Sequence, residues 1–314
     1  MKIIDFEKIR ELSISPAECV NWIEEAFKIK YSSYLPPKIS LKLPGNIFFN
    51  TMPCYVPSLE KVGVKVVSRY PNRNPSLSSD LLLFDSYSGE CLALMDGDWI
   101  TAMRTGAVAA SAINHLQKSN ARNYSIIGLG NTARATLLCL AESNVGKTFK
   151  IKILAYKDHA EHFIARFNNY PGIQFSVVST NKDLIEGADV VVSCVTAAND
   201  ILGEDAWYKE GVLVIPVHTR GFQNCDLFFD KVFVDDIGHV KDFKYFNSFK
   251  SCDEFSKVLL EEIQGRSDDK ERILAYNIGI ALHDTFFASE IFKRLSALSP
   301  DIDINESNLS KFWV

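Results

Sequence analysis

The sequence predicts an α/β chain: a doubly wound parallel sheet inserted into a second, α+β domain assembled from both ends of the chain. Three observations predict it. From about residue 118 to 250, short apolar runs at 124–128, 151–156, 175–179, 190–195, 213–217 and 232–234 alternate with helical or looped stretches. Near-continuous valines at 190–192 suit a strand buried on both faces. The length, 314 residues, allows two domains at ~150 residues each.

Residues 1–117 read as mixed α and β. Ser15-Pro16-Ala17-Glu18 is an N-cap with proline at the first helical position, and Val20, Ile23 and Phe27 continue at helical spacing. Strand segments flanked by turns follow at 39–43, 47–50, 62–68 and 80–85, and residues 85–90 (DSYSGE) form a hairpin turn into 91–95. Residues 101–116 (TAMRTGAVAASAINHL) form a helix whose Ala, Gly and Ser density permits close approach of another backbone or a ligand. Beyond about 250 the pattern turns helical, at 252–264 and 277–295, with a charged break at 265–269 and a polar tail past Pro300. These patterns place the parallel-sheet domain at 118–282 and the second domain at 1–117 plus 283–314.

Composition narrows the function. With 34 Lys and Arg against 39 Asp and Glu, the net charge is −5, which argues against a broad nucleic-acid surface. The richest apolar run, 188–195, falls far short of the ~20 residues a membrane helix needs, and residues 1–10 contain no signal-peptide apolar region. Seven cysteines (Cys19, Cys54, Cys91, Cys139, Cys194, Cys225 and Cys252) are scattered and never spaced CxxC. That usage points to reduced thiols in a cytoplasmic enzyme, without a disulfide framework or a metal site.

The most specific local motif is Gly128-Leu129-Gly130-Asn131-Thr132-Ala133, a GxGxxA between a strand and the helix 134–142. Gly128 allows the tight turn, Gly130 admits a pyrophosphate close to the backbone, and Ala133 lets the helix pack on the sheet. The helix start, with Asn131 and Thr132, offers free N–H groups and a positive dipole end to phosphates. This is the Rossmann arrangement, and it calls for NAD or NADP. The next strand runs into Lys157 and Asp158, where an acid usually holds the adenosine ribose. Lys157 would favour the extra phosphate of NADP, and the reading leans that way; the alternative is a solvated lysine with Asp158 on the ribose.

These residues, with others, resemble the ornithine cyclodeaminase and mu-crystallin family, which includes archaeal-type alanine dehydrogenase and imine reductases. The matching segments are Met52-Pro53, Gly63-Val64-Lys65-Val66-Val67, Ala93-Leu94-Met95-Asp96, Met103-Arg104-Thr105-Gly106-Ala107, Gly128-Leu129-Gly130, 216–226, Val234-Asp235-Asp236 and Gly279-Ile280-Ala281-Leu282-His283-Asp284. The resemblance spans residues 35 to 295, and its most specific element is the 24-residue spacing from Arg104 to Gly128. It implies a homodimer formed through the non-Rossmann domain, a small amino or imino acid as substrate, and a pocket between the domains. It also implies that Lys65, Arg104 and Lys38 are cations for the substrate carboxylate, with Lys65 able to act as a proton donor. Thr105, Thr196, Val217, Asn277 and Gly279 are the further positions it assigns to the dinucleotide.

The chain departs from that pattern at one reactive position. Residues 216–226 read PVHTRGFQNCD, so that His218 stands where the family carries an aspartate. An imidazole there can act as a general base or protonate an imine, or it can simply cap a strand end. Asn50 and Asn277 replace an arginine and a serine of relatives, and His283 and Asp284 are either pocket residues or a crossover hydrogen bond. Arg73 and Ser78 are specificity candidates in a stretch, 70–79, that reads equally well as a surface loop. The expected function is an NAD(P)-dependent amino-acid dehydrogenase or imine reductase. An ornithine cyclodeaminase-type lyase and a non-catalytic NADP-binding protein are the alternatives.

Overall fold

The computed structural model describes residues 1–156, 158–195, 202–217 and 228–302. The amino-terminal part contains strands β1 (Lys2–Ile4), β2 (Ile39–Leu43), β3 (Ile47–Val56), β4 (Lys61–Arg69), β5 (Leu77–Asp85) and β6 (Cys91–Asp96). Helices α1 (Phe6–Glu11), α2 (Pro16–Lys28) and α3 (Asp98–Leu116) lie among and after them. There follow β7 (Asn123–Ile127), α4 (Asn131–Glu142), β8 (Phe149–Leu154), α5 (His159–Ala165), β9 (Ile173–Val178), α6 (Asn181–Ile185), β10 (Val190–Ser193) and β11 (Leu213–Pro216). The last elements are β12 (Lys231–Val234), β13 (Cys252–Glu254), α7 (Phe255–Leu259), β14 (Ile273–Tyr276) and α8 (Ala281–Leu295). None of the described helices is long and apolar enough to cross a membrane.

Contacts divide the chain into two units. The first comprises Met1–Ser13, Ser32–Ile100 and the described residues from Asp284 on. Its six strands run in the order β1-β6-β5-β4-β3-β2, antiparallel except for the β1–β6 pair. Leu81, Leu83, Ala93 and Met95 alternate inward from β5 and β6, as a sheet with one packed face requires. In the predicted hairpin turn, Asp85 Oδ1 accepts from the N–H groups of Tyr87 and Ser88.

The second unit comprises Ile14–Tyr31 and Thr101–His283. Its strands lie in the order β9-β8-β7-β10-β11-β14-β12-β13, all parallel. Strand β14 returns to lie between β11 and β12; otherwise the sequence runs outward from β7 on one side and from β10 on the other. That reversal is the topological switch point of a Rossmann sheet, beside which ligands bind at the carboxyl ends. Val191, Val214, Phe229, Val232, Leu274 and Tyr276 are among the residues of its core.

The units differ from the expected boundaries, since α2 and most of α3 fall with the Rossmann sheet and not with residues 1–117. The physical reason is packing. Helix α2 lies against α4 and α7, and a Cβ on Gly106 would sit 2.4 Å from the Ala135 carbonyl carbon, so α3 meets α4 backbone to backbone. Strands β1, β13 and β14 were missed. Four apolar residues (ILAY) carry no readable period, and β14 becomes a strand because β11 and β12 bracket it. Helix α8 starts at Ala281, not at 277, because residues 277–280 are irregular and Gly279, at φ +79°, lies outside the helical region.

Candidate active site

The site begins where β7 ends. Gly128 has φ +82°, and a Cβ there would lie 2.9 Å from the Cys194 carbonyl and the Val195 nitrogen. Only glycine allows β7 to turn this close to the end of β10. Gly130 is the N-cap of α4 and makes no side-chain cap hydrogen bond. A Cβ on Gly130 would meet no described heavy atom within 4 Å. Its bareness is therefore not required by the described packing, and it leaves the N–H groups of the first turn open to an anion. Ala133 is fully buried, Asn131 is exposed and Thr132 half-buried, as a helix seated on the sheet with its start uncovered demands. These residues fit the diphosphate of a dinucleotide.

Along the same carboxyl edge, Asp235 follows β12 and is 0% exposed. Its Oδ2 accepts from the Gly279 N–H at 2.6 Å, and its Oδ1 accepts from Asn277 Nδ2 at 3.2 Å. Gly279 in turn lies against the guanidinium of Arg104, where a Cβ would come within 1.9 Å of Nη1. Arg104, Asn277 and Gly279, separate in the sequence, are brought together around this one carboxylate. Burial pushes the Asp235 carboxyl up to about 6, against its two hydrogen bonds and the charges of Arg104 and Lys30. Arg104 itself is 6% exposed, a guanidinium largely stripped of water and suited to a paired grip on a carboxylate.

In the first unit, Lys65 on β4 is 1% exposed and makes an ion pair with Asp284 at 2.7 Å. Asp284 is equally buried. Gly63, two residues earlier on the same face, has Thr285 Oγ1 2.2 Å from where its Cβ would be, so the strand and the residues after Asp284 pack without a gap. Burial, together with the Asp284 charge, pushes the neighbouring Cys54 thiol up to about 12 despite its bond to Thr285. Cys54 is thus a packed thiol and not a nucleophile.

Other predicted residues are placed less centrally. Lys38 is exposed just before β2. The Thr105 hydroxyl donates to Thr101 O at 2.6 Å, one turn back along α3. The Val217 N–H donates to Ser193 O at 2.9 Å, extending the β10–β11 pairing. Asp158 is exposed, with its carboxylate 3.4 Å from His162 Nδ1. Arg73 spends its guanidinium on the backbone carbonyls of Ser68, Pro75 and Ser76, which fits a loop staple and not a specificity contact. His218, Lys157 and Thr196 lie outside the described residues. Asp235, Lys30 and Glu254 were given no role from the sequence. The usable signal was Asp235-Asp236 at the end of a parallel strand, the edge where ligands bind.

Comparison with known proteins identifies the family and the fold. The description of the ornithine cyclodeaminase/mu-crystallin family matches residues 2–299. The nodulation efficiency protein NfeD of Rhizobium meliloti is 28% identical over 268 residues, covering 82% of this chain and 83% of that protein. Delta(1)-pyrroline-2-carboxylate reductase of Bacillus thuringiensis subsp. konkukian is 26% identical over 265 residues, covering 77% and 80%. The structure of Thermococcus litoralis Delta(1)-pyrroline-2-carboxylate reductase in complex with NADH and L-proline superimposes with a TM-score of 0.85 at 24% identity. That match covers 96% of this chain and 100% of the other, and it shows the fold. With its family profile matched almost end to end, the chain belongs to the ornithine cyclodeaminase/mu-crystallin family.

Proposed function

We propose that this protein is an NAD(P)-dependent oxidoreductase acting at the carbon–nitrogen bond of a small amino or imino acid, as an amino-acid dehydrogenase or imine reductase. One observation carries the reading: an uncapped dinucleotide cradle at Gly130 and a buried guanidinium at Arg104 lie on the carboxyl edge of one parallel sheet. A nicotinamide held there would supply hydride exchange at the α-carbon. Arg104 binds the substrate carboxylate through paired N–H donors. Lys65, paired with Asp284 at 2.7 Å, is the second cation and the donor of a proton to the substrate nitrogen. His218 stands in the register of the family aspartate and takes the remaining proton transfer, and Lys38 is a third, outlying cation. Asn277 and Gly279 would border a bound nicotinamide. Lys157 selects NADP, with Asp158 turned toward His162.

The Rossmann unit binds cofactor, and the other unit, built from Met1–Ser13, Ser32–Ile100 and the described residues from Asp284 on, supplies the dimer contact. Supporting that role, Ile39, Leu41 and Leu43 form an exposed apolar stripe on β2, the end strand of its sheet.

The test is an absorbance scan at the nicotinamide band, using amino acids with NAD+ or NADP+ and cyclic imines with NADH or NADPH. A change with one of these pairs is expected, and none with any pair overturns the reading. Ammonia release from ornithine without net NADH would identify a lyase instead. NADPH binding without turnover would identify a binding protein. Light scattering should give a dimer that Leu41→Lys dissociates.

A further inference from the structure

The carboxyl edge of the Rossmann sheet holds more charge than the proposed reaction uses. Lys30, on the turn after α2, is 4% exposed and pairs with Asp236 at 2.9 Å and with Glu254 at 2.6 Å. Glu254 also accepts from the Tyr31 hydroxyl and from the Ile237 N–H, each at 2.9 Å. Arg104 on α3 and Lys30 are the cations whose charge reaches Asp235. Among the described groups, Arg104 and Lys30 act on Asp235 and Lys30 also pairs Asp236 and Glu254, two cations against three carboxylates. Lys257, which the Glu254 charge also reaches, is paired with Asp253 and adds no net charge. With Asp235 ionised the cluster carries one net negative charge, and a substrate carboxylate at Arg104 would add a second. In a site shielded from water, two excess negative charges are costly, and a proton is the simplest remedy.

Asn277 can hold that proton. Its Nδ2 donates to Asp235 Oδ1, while its buried Oδ1 has no hydrogen-bond partner among the described residues. Half a turn of the amide exchanges the two atoms and sets an acceptor against Asp235 Oδ1, ready for the O–H of the neutral acid. Either orientation leaves one amide atom unpaired, so the turn loses no hydrogen bond. The Gly279 N–H donates to Oδ2 in both states.

We propose that Asp235 is the charge-balancing residue of the carboxylate site: a substrate carboxylate reaching Arg104 draws one proton from solvent onto Asp235, where Asn277 holds it. The inference rests on the reading of Arg104 as the carboxylate ligand. Burial has already pushed the Asp235 carboxyl up to about 6, so an added anion needs to move it only a little further to protonate it at neutral pH. By linkage, substrate binds more tightly as pH falls through neutrality, and loss of the proton favours release.

The experiment titrates NADH-loaded protein with two carboxylates that carry no ammonium group, pyrrole-2-carboxylate and, separately, propionate, at about pH 7, where neither ligand titrates and each adds one negative charge. Calorimetry in two buffers of different ionisation enthalpy should show net proton uptake, about 0.4 proton per ligand bound for a rise from about 6 to about 7. Infrared difference spectra should show a protonated-carboxyl C=O band appearing with the ligand. Asp235→Asn should abolish both the uptake and the band while ADP-ribose, which lacks the nicotinamide, binds unchanged. Binding without proton uptake, or uptake undiminished in Asp235→Asn, overturns the inference alone. Should Asp235→Asn not fold, the wild-type infrared band decides, because the imidazole of His218 has no such band. If neither carboxylate binds, the role of Arg104 falls, and the inference with it.

Discussion

Asp189 immediately precedes β10 and Asp235 immediately follows β12, so two nearly sealed carboxylates mark the amino and carboxyl ends of one parallel sheet. Asp189 accepts from the backbone N–H groups of Arg122 and Asn123, both at 2.9 Å, and pairs with Lys118 at 2.7 Å and Lys209 at 2.6 Å. Burial alone would push its carboxyl up. The N–H bonds and the two ammonium groups outweigh it and hold the carboxyl well below the usual range. Asp235 is met by one N–H and one neutral amide, and there burial wins. The comparison teaches that burial does not by itself decide a carboxylate's fate; the directness of its cations does. The amino end uses its carboxylate as a clamp on the chain, and the carboxyl end keeps one whose proton can come and go.

The largest expected break in this comparison is Asp189→Ala. It strands two lysines and two buried N–H groups, and should cost about 3–4 kcal/mol in urea unfolding, discounted for the partial exposure of the lysines. Nucleotide affinity of the folded fraction should not change. Gly130→Asp should do the reverse. An aspartate is a good N-cap in a place with room for its Cβ, so melting should hold or rise slightly, while its charge against a diphosphate weakens NADH binding at least about 100-fold.

The pH dependence sharpens the contrast further. Asp235 is raised, so the folded state holds its proton more tightly than the unfolded chain does. Its contribution to stability is full below about pH 4 and declines until about pH 6. Across that window the wild type should lose up to about 3 kcal/mol relative to Asp235→Asn, read from urea midpoints. Asp189 is depressed, so its contribution persists through this window and fades only at strongly acid pH, where Asp189→Ala should converge on the wild type. The smallest effect is expected from Lys118→Met. Lys209 remains on the same oxygen, so a loss of only about 1 kcal/mol should be measured.

Much of this arrangement could be read in advance. Predicted segments at 39–43, 62–68, 80–85, 91–95 and 213–217 each fall within two or three residues of an observed strand, because turn residues and β-branched runs mark them locally. Although the approach of Cys194 and Val195 that also demands Gly128 is not a local constraint, the phosphate turn was readable because the GxGxxA pattern lies within a few residues between a strand and a helix. The hub around Asp235 was not. An Asp-Asp pair after a strand resembles any solvated turn until Gly279 and Asn277, more than 40 residues on, close over it. Lys65 and Arg104 pointed to a carboxylate site only through family resemblance, since a lysine on a strand and an arginine on a helix are ordinary surface residues.

The sequence alone therefore determined the layered architecture, the strand–turn–helix cradle and the cationic residue types available for an anionic substrate. These follow from periodicity, glycine stereochemistry and charge, all of them properties of neighbours along the chain. Tertiary structure alone decided that β14 is a strand, that Asp284 lies on Lys65, and which of two aspartates keeps a labile proton. Each of those depends on water being excluded and on partners arriving from distant segments, and neither is a local property of the chain.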